Sequence, residues 1–171
     1  MYQFTTAVRR TVVSRTGVQL AAETNSEFTA FYRVEHDGQV RRAFLLLGDN
    51  DAANDIVHDA MTNLFRRWHT VEQPGAYLNR AVLNGCRDNG RRRNTSVRLM
   101  QRIRPRDGDE APSEPLADVL AKLPFNHRAT IVLRYYSGFT TEEIARALDC
   151  APGSVGPWIE RGLAAMRKVL T

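Results

Sequence analysis

Cysteine is scarce in this chain: Cys86 and Cys150 are the only two among 171 residues, and they stand far apart. A disulfide framework or a zinc site needs more ligands at closer spacing. Both are therefore expected as small buried hydrophobes in a reducing, cytoplasmic setting, and no metal is expected. Long hydrophobic runs are missing as well. No stretch reaches the roughly eighteen apolar residues of a membrane span, and Arg9, Arg10 and Arg15 interrupt the N-terminus. Neither a membrane anchor nor a secretory leader is expected. No glycine-rich phosphate loop and no nucleophile–base pair occurs, so neither enzymatic chemistry nor a cofactor is expected. Alternating strand patterns of useful length are absent, as are internal repeats.

Lysine is nearly absent too, since 22 of the 24 basic residues are arginine. The planar guanidinium fork suits phosphate and guanine recognition. A GC-rich genome produces the same bias, so location says more than number. The net charge of +5 is unevenly spread. Asp49, Asp51, Asp55 and Asp59 come early in the middle of the chain. Arg87, Arg91, Arg92, Arg93, Arg98, Arg102, Arg104 and Arg106 come late. One stretch suits a basic partner and the other an acidic one.

What is present is helical periodicity. Phe28, Phe31 and Tyr32 begin an apolar stripe that resumes at Val40, Ala43, Phe44 and Leu47, and Gly48 is placed to stop it. Asp49 or Asp51 then caps a helix whose Ala53, Ile56, Val57, Ala60, Met61, Leu64 and Trp68 share one face. Pro74 suits the first turn of a third helix, lined by Tyr77, Leu78, Ala81, Val82 and Gly85 and ending near Arg91 to Arg93. Further on, Leu116, Val119, Leu120 and Leu123 precede a stripe of Phe125, Ala129, Val132, Leu133 and Tyr136. Thr140 and Glu143 match a capping box. Ile144, Ala145 and Leu148 line that short helix. Asp149, Cys150 and Ala151 make a tight turn, and Val155, Ile159, Gly162, Met166 and Leu170 define a final inner face. The fold class is all-α, as two small helical domains. Residues 1–26 are expected as a flexible extension, 27–95 as a bundle, 96–113 as a flexible linker and 114–171 as a helix-turn-helix domain.

Several of these stretches, in order over roughly residues 27–171, resemble the sigma factors of bacterial RNA polymerase in their extracytoplasmic-function branch. LFRRWHTVEQPGAYLNRAVLNGCRDNGRRR is similar to the region that recognises and opens the −10 element. LAKLPFNHRATIVLRYYSGFTTEEIARALDC is similar to the start of the −35-binding domain, and RYYSGFTTEEIA is close to an actinobacterial subgroup. The resemblance implies core RNA polymerase and promoter DNA as partners and admits an anti-sigma factor. It places Asp51, Asp55, His58 and Asp59 on the polymerase-binding helix, with His58 where the family usually has Gln. Tyr77, where the family often has Trp, is placed as an exposed stacking platform. Arg80, Asn84, Arg87, Arg91 and Arg92 follow as a −10 DNA track, and the loop from His69 to Gly75 as a pocket for a flipped base. Arg128, Ser154, Trp158, Arg161 and Lys168 fall to the −35 side.

The recognition helix departs from the family pattern. Val155 and Arg161 keep it, but Gly156 and Pro157 stand where Lys and Ser would face DNA. If the helix starts at Pro152, Pro157 is interior and costs about 3 kcal/mol, with roughly 1 more for Gly156. The preferred expectation is a helix shortened by about a turn, with Ser154 as its cap. The leading reading is an alternative sigma factor. A sigma-like adaptor with weakened DNA reading stands beside it, supported by this damaged helix. A helix-turn-helix repressor independent of polymerase is a third reading, which the acidic helix opposes.

Overall fold

The computed structural model describes the backbone of residues 17–100 and 114–170, with side chains described over 25–92 and 114–169. Among the described residues every regular element is helical. Three helices form the first half: α1 (Gly17–Leu47), α2 (Asn50–Arg66) and α3 (Pro74–Met100). The second half holds α4 (Pro115–Ala121), α5 (Phe125–Ile131), a π-helical turn (Val132–Tyr136), α6 (Thr141–Leu148) and α7 (Pro152–Leu170).

The expected stripes become the cores. Ala43, Leu46, Val57, Leu64, Leu78 and Val82 are buried in the first half, and Leu120, Leu133, Ile144, Leu148 and Val155 in the second. Gly48 ends α1 in the left-handed region, φ 68°, which costs glycine nothing. Asp49 caps α2 by accepting from the Ala52 amide at 3.0 Å. Phe28 meets Phe65 at a tilt and Trp68 edge-to-face, at centroid separations of 4.8 and 5.3 Å, closing the far end of the α1–α2 pair. The Thr140–Glu143 capping box forms in both directions. Gly162 lets α7 approach α5 so closely that a Cβ there would lie 2.6 Å from Ile131 Cδ1.

Three boundaries differ from expectation. α1 begins at Gly17, inside the stretch read as an extension; the run Gln19–Glu23 lacks an apolar period but is rich in strong helix formers. Residues 1–16 and 101–113, which hold the rest of that extension and most of the linker, lie outside the described residues. α3 continues to Met100 rather than stopping near Arg93. Terminal cations favour a helix end but do not create one, and neither Gly nor Pro intervenes.

α7 starts at Pro152, so the shortened recognition helix is not what forms. Pro152 suits a first turn, Ser154 donates its amide to the Ala151 carbonyl at 2.9 Å, and Pro157 lies inside the helix. Gly153, Gly156 and Pro157 are all exposed, so the carbonyl that loses its donor at Pro157 faces water. Buried Val155 and Gly162 hold the inner face in helical register despite the proline.

The sequence implies two domains joined by a flexible linker. Here α1 packs on α4, α5 and the π turn, and α3 packs on α6. Their buried side chains form one continuous hydrophobic cluster.

Candidate functional site

Asp51, Asp55, His58 and Asp59 are all exposed on α2, opposite its buried Ala53, Val57, Ala60, Met61 and Leu64. Steps of four residues set three carboxylates in a row, so this face presents negative charge to solvent. Among the described residues no three His, Cys, Asp or Glu side chains converge as metal ligands.

The arginine track on α3 is divided. Arg80, Asn84, Arg91 and Arg92 are exposed. Arg80 lies 3.7 Å from Asp149 Oδ2, across the boundary between the halves. Arg87 is half-buried; its Nη2 donates to the Leu148 carbonyl at 3.3 Å and its guanidinium lies 5.4 Å from the Phe125 ring centroid. Tyr77 is half-buried against the core rather than an exposed platform for bases. It stands four residues before Ala81, which also packs on the core, so both lie on the inner stripe of α3. His69 is exposed and Gly75 half-buried at the ends of the α2–α3 loop.

On the −35 side, Arg161 and Lys168 are exposed on α7 and Ser154 is half-buried. Trp158 is half-buried beside a cleft of about 820 Å³ that runs between the halves, lined also by Arg87, Arg91, Phe125 and Cys150. Arg128 is not a DNA-facing residue in this arrangement. It donates to the carbonyls of Ala121 and Leu123 at 2.9 and 3.0 Å, and to that of Leu46 at the end of α1. Ala121 ends α4, Leu123 lies in the turn that follows it and Leu46 in the last turn of α1, and at helix ends the unpaired acceptors and the dipole favour a cation. Burial pulls its pKa below the ordinary arginine value.

The residues joining the halves were not singled out from sequence. Arg42 is 8% exposed. Its Nε donates to Ser137 Oγ at 2.9 Å, its Nη1 to Gln39 Oε1 at 3.1 Å and to Asn79 Oδ1, and its guanidinium lies 5.3 Å from the Phe139 ring centroid. Gln39 is 1% exposed and donates to Asn79 Oδ1 at 2.7 Å. Arg41 forms a bidentate pair with Glu114. The available signal was Gln39 and Arg42 standing next to the apolar stripe of α1, where a solvated face would not need them. Cys86 is buried; loss of solvation pushes its thiol up to about 12, although Arg42 and Arg128 pull the other way. A thiol so placed is inert packing.

The model of the family "Sigma-70, region 4" matches residues 113–166. The RNA polymerase sigma-E factor of Streptomyces coelicolor is 30% identical over 152 residues, spanning 84% of this chain and 86% of that protein. The ECF RNA polymerase sigma factor SigL of Mycobacterium tuberculosis is 30% identical over 148 residues, spanning 76% and 81%. Among solved structures, the sigma factor RpoE of Bartonella quintana in complex with the anti-sigma factor NepR matches with a TM-score of 0.70 at 21% identity, over 84% of this chain and 96% of that one. CnrH in complex with the cytosolic domain of CnrY matches at 0.65 and 23%, over 89% and 95%. These two likenesses carry the fold.

Proposed function

Because this chain belongs to the RNA polymerase sigma factors, in their extracytoplasmic-function branch, we propose a division of labour among its exposed charged faces. The protein is an alternative sigma factor and directs transcription initiation. It works in the cytoplasm with core RNA polymerase and promoter DNA, and bond-making belongs to the polymerase. Asp51, Asp55, His58 and Asp59 meet a basic surface of core polymerase. Asn84, Arg91 and Arg92, joined by Arg80 and Arg87, follow the strand at the −10 element, with phosphate contacts giving most of the affinity. Arg161 and Lys168 face the −35 element, while Tyr77 supports the α3 track from within.

The observation that carries this reading is the opposition of charge on neighbouring helices: an exposed acidic row on α2 and an exposed arginine edge on α3. The helix-turn-helix takes a smaller share. Gly153, Gly156 and Pro157 leave the first turns of α7 bare on the outside, so −35 reading is weak and promoter choice leans on the first half. The bare turns also favour the adaptor reading. Reconstitution with core polymerase on genomic DNA separates the two. Promoter-dependent transcripts with discrete start sites are expected; polymerase binding without transcripts would establish the adaptor instead.

A further inference from the structure

We infer that the second half of the chain is an internal lid on the −10 arginine track, held shut by arginines of α1 and α5 without any partner protein. The inference rests on the reading of Arg80 and Arg87 as DNA contacts and adds a regulated state to it.

The seam is built from arginines whose acceptors lie on the other half. Arg41 grips Glu114 with both arms. Arg42, anchored in its own half by Gln39 and Asn79, reaches across to Ser137 and the Phe139 ring. Arg128 reaches back from α5 to the Leu46 carbonyl. These contacts tie α1 to the start, the middle and the π turn of the second half. On the neighbouring side, Arg87 is spent on the Leu148 carbonyl and the Phe125 face, and Arg80 lies beside Asp149. Both carry the charge a DNA phosphate would need; Arg87 is turned into the seam, and Arg80 is engaged by a carboxylate at its solvent-exposed rim. The acidic row on α2 stays exposed. A closed chain therefore offers its polymerase-binding face while withholding Arg87 and setting the Asp149 carboxylate beside Arg80.

The contacts differ in how readily they release. Arg42 is buried among neutral acceptors, so losing Ser137 would strand a charge away from water. The Arg41–Glu114 pair is half-exposed, at 43% and 31% for the two side chains, and is open to competition from salt and from other charges. It is the part of the seam that gives way first.

The test uses the full chain and three variants: Arg41→Glu, Glu114→Arg and the double exchange. Small-angle scattering reads the radius of gyration and circular dichroism reads helicity. Binding to a mixed-sequence single-stranded DNA 20-mer at low salt is read by fluorescence anisotropy. Each single reversal is expected to expand the chain with helicity kept and to raise DNA affinity about fivefold, the population gained by losing one such pair. The double exchange should restore both native values. Arg41→Glu is the decisive variant, because it removes a cation and yet should bind DNA more tightly. A native chain as expanded as the variants would overturn the lid. Expansion without gain in DNA affinity would overturn the occlusion of the arginine track. Failure of the sigma reading shows elsewhere, as absence of promoter-dependent transcripts with an intact seam.

Discussion

Glu143 secures the first turn of α6 by three hydrogen bonds with Thr140. The Thr140 amide donates to its carboxylate at 2.8 Å and the Thr140 hydroxyl at 3.0 Å, while the Glu143 amide donates to Thr140 Oγ1 at 3.2 Å. These donors hold the carboxyl below the ordinary glutamate value, the backbone amide most of all. A depressed folded-state pKa means stability that is present above the unfolded value and lost as pH falls through the folded one. The gap between wild type and Glu143→Gln in urea unfolding should therefore be full above the ordinary glutamate value and close as pH falls below it. A constant gap at every pH would show that the carboxylate is not the stabilising form. Thr140→Ala should cost about 1 kcal/mol at pH 7, read from the same curves. This capping box was fully legible in sequence, because a cap needs only residues three apart. Arg128 and Arg42 were not: their acceptors lie 82 and 95 residues away, and no local pattern encodes that.

At the scale of elements, the stripes identified α2, α6 and the core face of α7 because one buried face imposes its own period. The start of α7 lies earlier than local propensity dictates, because packing of its inner face overrides the cost of Gly156 and Pro157. Pro157 sits inside a complete helix, so replacing Gly156 by Lys and Pro157 by Ser adds side chains rather than a turn. Nothing lies within 4 Å of a Cβ at Gly156, so the Lys fits, and relief of both penalties should stabilise the chain by up to about 4 kcal/mol. Thermal unfolding checks this, and an unchanged midpoint would mean the helix has already absorbed the proline without strain. On α2 the reverse logic holds. Asp55 and Asp59 are exposed, so Asp55→Arg with Asp59→Arg should leave helicity intact while abolishing association with core polymerase in a pull-down. Undiminished binding would move the polymerase contact to another face.

For the whole molecule, sequence foresaw two helical units in the right order, but the seam between them depends on distant pairs and stayed hidden. That seam separates the effects of two neighbouring cations. Arg91→Ala should reduce the salt slope of holoenzyme–promoter binding by about 0.7 to 0.9, one phosphate contact. Arg87→Ala should reduce the slope equally, and in the free chain it should also loosen the lid, since it removes the bond to the Leu148 carbonyl. Equal slopes for wild type and both variants would place these residues away from DNA.

The π turn between Ile131 and Ser137 has a consequence of a different kind. Ser137 donates its amide to the Val132 carbonyl five residues back, at 3.1 Å, so this helix carries one residue more per turn than the α-helical bond allows. The feature is one of length, and its natural undoing is a deletion. Loss of one codon there would close the turn to α-helical bonding and leave the flanking segments near their present helical phase, because a π turn is one extra residue absorbed within an α-helix. A deletion in a regular helix such as α7 has no such slack and rotates everything after it by about 100°. The π turn is therefore the place in the second half where the chain can lose one residue and still bring the Ser137 hydroxyl to Arg42.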